Sequence, residues 1–194
     1  MLVTEIEDTQ LVNEIQQRLD VKREGIHLSD LELCLRKSYY RRLSPQPITP
    51  KQAWMYATGL GVENYLYPQD KPVTVVDRVA CSMDYAYGVE IKSTRSSMKN
   101  FNPCKPHWVF RMKGYCHAFG LTTFRLTVVF IIPADARTWI FDFTPEEIED
   151  NWQQEVIRRR DILEQALKSG TPPVPDFHQD WECSRCELSG FCLK

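Results

Sequence analysis

No apolar run in this chain reaches the roughly 18 residues needed to cross a bilayer, so no membrane span is expected. The opening residues, MLVTEIEDTQ, lack the basic stretch that begins a secretory leader. The expected location is therefore the cytosol. Internal repeats and low-complexity linkers are also absent, which points to one domain over residues 1–194 with a small C-terminal appendix. Hydrophobic residues make up 43% and charged residues 26% of the 194, an ordinary soluble balance with enough material for a sizeable core.

Acidic residues are missing from one long stretch. Between Ile91 and Ala134 there is no Asp or Glu, while Lys92, Arg95, Lys99, Lys105, Arg111, Lys113 and Arg125 fall there. A net charge of −2 gives no global sign of nucleic-acid binding. A local basic surface can nonetheless meet phosphates, and the alternative is a merely solvated basic face. Aromatics are interleaved with these cations at Phe101, His107, Trp108, Phe110 and Tyr115, a mixture suited to single strands. The histidines at 27, 107, 117 and 178 are read as surface or packing residues.

An even cysteine count is lacking too. Seven cysteines in a cytosolic chain argue against a disulfide framework. Cys81, Cys104 and Cys116 stand singly and are expected to be buried small hydrophobes.

Periodicity and capping signals set the elements. Residues 5–20 form an amphipathic pattern with Leu11, Ile15 and Leu19 on one stripe. Ser29 and Glu32 read as a capping box opening a helix that carries Cys34. Thr49-Pro50 announces another helix, with Trp54, Thr58, Gly61, Val62 and Tyr65 expected on its buried face. Glu63 falls on the other side with Tyr56 and Gly59, where the glycine would admit a close backbone. Val73–Val79 reads as a strand. Residues 80–85 and 88–93 read as hairpin arms around Ala86-Tyr87-Gly88. A helix near 107–119, strands at Phe124–Ile132 and Thr138–Phe143, and a helix from Thr144-Pro145-Glu146-Glu147 to Gly170 complete the chain. The expected class is α/β, a central mixed sheet flanked by helices.

Asp84, Glu90 and Lys92 carry the catalytic signal. On a strand, Glu90 and Lys92 share a face, and the turn returns Asp84 beside Glu90. Phosphodiester cleavage asks for such a set. A hard cation such as Mg²⁺ or Mn²⁺ takes carboxylate oxygens, activates water and neutralises charge, and a lysine can orient that water. The competing reading is an exposed hairpin with a cross-strand Glu–Lys pair.

The order Gly59-x-x-x-Glu63, Asp84, Glu90-Ile91-Lys92 resembles the RecB-like branch of the PD-(D/E)XK nucleases. The resemblance implies a restriction-endonuclease-like core. It implies a metal held by Glu63, Asp84, Glu90 and the Ile91 carbonyl, with Lys92 catalytic. Many relatives have His where this chain has Glu63. The branch's later Q-x-x-x-Y motif is similar to Arg111-Met112-Lys113-Gly114-Tyr115, with arginine in place of glutamine. Arg111 and Tyr115 are thereby expected to contact DNA, together with Lys99 of the basic stretch.

Cys183-Ser184-Arg185-Cys186 and Cys192 place three thiols within the last twelve residues. A four-ligand site needs one more, and Cys34 is the best candidate. Thiolates suit both Zn²⁺ and iron–sulfur clusters. One cysteine before the nuclease motifs and C-x-x-C-x-x-x-x-x-C after them resembles the iron-staple nucleases, AddB and the CRISPR-associated Cas-four exonucleases. The small size is similar to the Cas-four group. The likeness runs from about Leu28 to Cys192. It implies a [4Fe–4S] cluster, with Zn²⁺ as the alternative, built by residues 24–48 and 171–194. It also implies a metal-dependent exonuclease acting on single-stranded or overhanging DNA ends. The implied role is processing DNA before CRISPR spacer integration, beside the integrase subunits. The alternatives are a phage or repair nuclease and a non-catalytic DNA-binding module with structural zinc.

Overall fold

Capping chemistry starts two of the helices, at Thr49 and Thr144, where the sequence signals stand. The computed structural model describes residues 9–19, 24–45, 48–66, 71–85, 87–99, 101–176, 181–184, 186 and 188–192. Helix α1 (Thr9–Leu19) buries Val12 and packs against α4 (Pro50–Leu66). The rest of the expected 5–20 helix lies outside the described residues. At the start of α4, Thr49 Oγ1 accepts from Gln52 N at 3.3 Å and Gln52 Oε1 accepts from Thr49 N at 2.8 Å. This reciprocal pair satisfies two amides that the first turn would leave open.

The expected Ser29–Glu32 box is not the one that forms. Strand β1 (Ile26–His27) runs into a single turn, α2 (Leu28–Leu31), and the Asp30 carboxylate accepts from His27 N at 2.8 Å. Glu32 is thereby free to turn inward. Helix α3 (Leu35–Leu43) starts afresh, with Cys34 as its N-cap residue and not within a helix as expected.

Helix α4 is also oriented differently. Trp54 and Tyr65 are exposed, and Ala53 is buried. The helix instead meets the sheet through the side bearing Gly59 and Glu63. A Cβ on Gly59 would lie 3.6 Å from Ser93 Oγ, ordinary contact with a side chain and no close backbone.

The single strand expected at 73–79 is a tight hairpin. Strands β2 (Val73–Val76) and β3 (Val79–Ser82) pair antiparallel across Asp77 and Arg78, both at positive φ. That geometry matches the right-handed twist of the two arms. Strand β1 adds to β3 in parallel. A second three-stranded sheet joins β4 (Val89–Thr94) in parallel to β5 (Thr123–Phe130), and β5 antiparallel to β6 (Asp135–Asp142). The strand orders are β1-β3-β2 and β4-β5-β6.

The fold is therefore mixed α/β with two small mixed sheets flanked by helices, where one central sheet was expected. The expected 80–85/88–93 hairpin shrinks to an isolated bridge between Tyr85 and Val89. The physical reason lies in Asp84. Its carboxylate accepts from Ile91 N at 2.8 Å, where a neighbouring strand's carbonyl would otherwise bond. The turn itself holds at Gly88, whose φ is +71 and whose added Cβ would meet Thr123 O at 3.0 Å. Ala86 lies outside the described residues.

Helix α5 (Pro106–Phe119) crosses the core and buries Phe110, Met112, Tyr115 and Cys116. Gly114 lets it approach α2, since a Cβ there would lie 2.8 Å from Leu28 Cδ2. The final long helix opens with the expected box at Thr144 and Glu147. It runs as α6 (Pro145–Asp150), a π-helical segment (Asn151–Ile157) and α7 (Arg158–Ser169), and Gly170 ends it in the left-handed region. The widened segment carries Trp152 into the core, where its Nε1 donates to Asp77 Oδ2 at 2.8 Å. Two short turns follow, α8 (Trp181–Ser184) and α9 (Ser189–Cys192). Among the described residues, no helix is long and apolar enough to cross a membrane.

Candidate active site and cysteine corner

Strand β4 is an edge strand, and charged groups gather around its free side. Glu90 and Lys92 project to one face, as residues two apart must. Lys92 Nζ donates to Glu90 Oε1. On the same carboxylate oxygen, Arg111 Nη1 from α5 closes to 2.5 Å. Arg111 Nε lies 2.6 Å from Glu32 Oε2, a charge contact whose angle is not that of a hydrogen bond. Glu90 is only 2% exposed. Burial would raise its pKa, but Lys92 and Arg111 outweigh this and hold it at about 2. Burial pushes the Glu32 carboxyl up, against the pull of Arg111 and Lys92.

Asp84 meets β4 at its backbone. One oxygen takes the Ile91 amide; the other lies 3.1 Å from Lys71 Nζ. Lys71 Nζ also lies 2.7 Å from Glu63 Oε2. Burial raises the Asp84 pKa, and the Glu90 charge adds to it. For Lys71, burial works against the charge, but the bond to Glu63 and the Asp84 charge prevail and raise its pKa. Glu63 and Asp84 thus converge on one ammonium, a built-in stand-in for a cation. By donor chemistry they fit a hard metal. Among the described residues, no group of three or more His, Cys, Asp or Glu side chains is drawn closely enough to hold a metal ion as it stands. Lys71 separates Glu63 from Asp84, and Glu90 is turned to Lys92 and Arg111.

The tertiary structure therefore brings Glu63, Asp84, Glu90, Ile91 and Lys92 to one place. The expected DNA-contacting residues are dispersed. Arg111 lies inside with its guanidinium between two carboxylates. Tyr115 is buried and stacked on Phe124 at 5.9 Å between ring centroids. Its phenol pKa is raised by burial, and it feels the charges of Arg111, Glu90 and Asp84. Lys99 is exposed, as are Arg95 and Arg125. Elsewhere the acid-free stretch turns inward. Lys105 lies over the Trp108 and Phe101 rings at 4.1 and 5.1 Å, and Phe101 packs edge-on to Phe130.

The histidines pack as expected where described. His107 is buried beside Trp108, and His117 stacks on Trp152 at 4.3 Å. His178 lies outside the described residues. Cys81 and Cys116 are buried, and burial pushes each thiol up to about 12. Cys104, expected inside, is exposed, because its loop turns on the Asn102 side chain, which accepts from Cys104 N at 2.8 Å.

The four remaining cysteines lie in one corner, near enough for the charges of Cys34, Cys183 and Cys186 to act on Cys192. Cys34 is buried at the start of α3, Cys186 and Cys192 are half-buried, and Cys183 is exposed. Burial raises the Cys192 pKa, and the neighbouring Cys186, Cys34 and Cys183 add to the rise against Arg36. The two segments that carry these cysteines are tied by other groups. Glu182 Oε2 accepts from Cys34 N at 3.0 Å, and Arg36 donates to Pro173 O at 2.7 Å and Cys192 O at 3.4 Å. Fully buried Arg159 donates to Leu31 O at 2.6 Å, Leu33 O at 2.5 Å and Asp176 Oδ2 at 2.8 Å. Four sulfur donors, two of them half-buried and one buried, fit a thiophilic metal or cluster chemically.

Lys71, Glu32, Arg159 and Glu182 are site residues that sequence reasoning missed. Glu32 was absorbed into a capping signal. Lys71 and Arg159 sit in no motif, and their partners are remote in the chain. The adjacency of Glu182 to Cys183 was the one visible hint.

No protein-family model matches the chain, and no curated protein matches it. Among solved structures, it is similar to the crystal structure of SSO0001, at 18% identity and a TM-score of 0.63 over 96% of each chain. At that identity the likeness shows a shared fold.

Proposed function

We propose that this protein is a metal-dependent deoxyribonuclease with a PD-(D/E)XK core and a cysteine-held cluster. The observation that carries the reading is that Asp84 binds the Ile91 amide between Glu90 and Lys92 on β4, and shares Lys71 with Glu63. Glu63, Asp84, Glu90 and the Ile91 carbonyl would hold a divalent cation. Such a cation, when bound, supplies Lewis-acid activation of water and neutralises phosphate charge. Lys92 holds its ammonium against Glu90 and would orient the attacking water. Arg111 keeps Glu90 ionised and fixed in direction. Asp84 is anchored by a backbone amide, so one oxygen stays aimed into the site.

Cys34, Cys183, Cys186 and Cys192 would hold a [4Fe–4S] cluster. By joining the chain ends, it would remove conformational freedom from the unfolded chain. We further propose single-stranded or overhanging DNA ends as substrate, and trimming before CRISPR spacer integration as the setting. That setting rests on the resemblance in motif order alone.

The test is degradation of 5′- and 3′-labelled strands by anaerobically purified protein with Mg²⁺ or Mn²⁺. Wild type is expected to cleave, and Lys92→Ala and Asp84→Ala to lose cleavage while remaining folded. No cleavage by wild type with either metal would leave the non-catalytic DNA-binding reading in place. Stoichiometric zinc in a colourless protein would replace the cluster with a zinc site.

A further inference from the structure

Lys71 precedes β2 in a segment with no motif, yet its ammonium occupies the centre of the Glu63–Asp84 pair. It lies 2.7 Å from Glu63 Oε2 and 3.1 Å from Asp84 Oδ1. The Lys71 side chain is 35% exposed and that of Asp84 11%, so the ammonium reaches in from the solvent side. Asp84 cannot swing away freely, because its other oxygen accepts from Ile91 N. Glu63 is carried on α4, which packs against β4. Two carboxylates fixed this way repel unless a cation lies between them.

A lysine is suited to that place only provisionally. Its ammonium is a compact point charge on a flexible four-carbon stem, without the planar fork that locks arginine onto carboxylates. A divalent cation seeks the same oxygens, and it would repel an ammonium left among them.

We propose that Lys71 is a resident counter-ion of the Glu63–Asp84 pair, which competes with the divalent cation and withdraws when that cation binds. The proposal rests on the metal-dependent reading of the site. Lys71 keeps the carboxylates together in the metal-free protein, and it weakens metal binding as a consequence. It is a positioning residue, and its effect falls on metal affinity and on metal-free stability in opposite directions.

The experiment follows Mn²⁺ binding to the full chain by electron paramagnetic resonance of free Mn²⁺, with thermal unfolding in parallel. Lys71→Ala is expected to bind Mn²⁺ with a roughly fivefold lower dissociation constant than wild type. It is also expected to melt at a lower temperature without Mn²⁺, and to gain more from saturating Mn²⁺. Lys71→Arg keeps the charge and is expected not to bind more tightly than wild type. Asp84→Asn is expected to lose the binding. Should Lys71→Ala fail to fold, Lys71→Met retains the stem and carries the same expectation. Equal or weaker Mn²⁺ binding by the neutral variants, with binding still dependent on Asp84, overturns the role of Lys71 and leaves the metal site standing. Absence of Mn²⁺ binding in wild type and variants overturns both.

Discussion

Arg111 Nη1 lies 2.5 Å from Glu90 Oε1, inside the molecule and on the oxygen that Lys92 also holds. The pair joins α5 to the edge strand β4, and Glu32 extends it to the turn before Cys34. The candidate active site and the cysteine corner are therefore linked through one guanidinium. Removing one partner of a buried pair leaves an uncompensated charge, which typically costs about 3–5 kcal/mol. Arg111→Met is expected to lose stability on that scale in urea unfolding. Arg111→Lys should recover part of it, since a lysine cannot meet Glu32 and Glu90 together.

The depressed pKa of Glu90 gives a pH dependence with a definite sign. A carboxyl lowered from 4.5 to about 2 favours the folded state when ionised. Its contribution is complete above about pH 4.5 and is lost as pH falls toward 2. In metal-free buffer, the stability gap between wild type and Glu90→Gln should hold steady above that range. It should shrink on descending through it. Asp84 and Glu32, whose pKa values are raised, act oppositely and favour the folded state as pH falls. The Glu90 charge is part of what raises both, so Glu90→Gln relaxes them as well, and stability curves of the two proteins against pH measure the net difference.

Arg159 fastens the cysteine corner without touching a thiol. It donates to Leu31 and Leu33 carbonyls on one side and to Asp176 on the other. Arg159→Leu leaves the buried Leu31 carbonyl unmet, at about 1–3 kcal/mol, and removes the bond to Leu33 O, while Asp176 keeps Arg158 at 3.5 Å. In reduced, metal-free protein, alkylation of buried Cys34 should accelerate, while exposed Cys183 should react as in wild type. Mass spectrometry of the labelled peptides distinguishes the two.

Two glycines stand where a side chain would meet its neighbours too closely. Gly88→Ala places a side chain at φ +71 with its Cβ 3.0 Å from Thr123 O. Gly114→Ala drives a Cβ to 2.8 Å from Leu28 Cδ2. Overpacking of this kind costs roughly 1–3 kcal/mol. Leu28→Ala combined with Gly114→Ala should cost less than the sum of the two single changes, measured by a double-mutant cycle.

Much of the element pattern was legible because its causes are local. Thr49-Pro50 and Thr144-Pro145-Glu146-Glu147 carry their caps within four residues, and the helices start there. The alternation of Phe124 to Phe130 marks a strand however the sheet is ordered. Asp84, Glu90 and Lys92 were readable because a short turn and a two-residue spacing place them together with little help from the rest of the chain.

The sequence by itself determined those local caps, the alternating strands and the residue types that can bind a cation or a cluster. Only the tertiary structure decided what they touch. It split the expected single sheet in two, because the Asp84 carboxylate takes an amide that a strand would have paired. It turned Glu32 from a cap into a partner of Arg111 and carried Tyr115 into the core. It set Lys71 between Glu63 and Asp84 across gaps of 8 and 13 residues, and Arg159 between segments more than 120 residues apart in the direction of Leu31 and Leu33. Such pairings have no period and no spacing. They arise because buried charges must find partners wherever packing brings them.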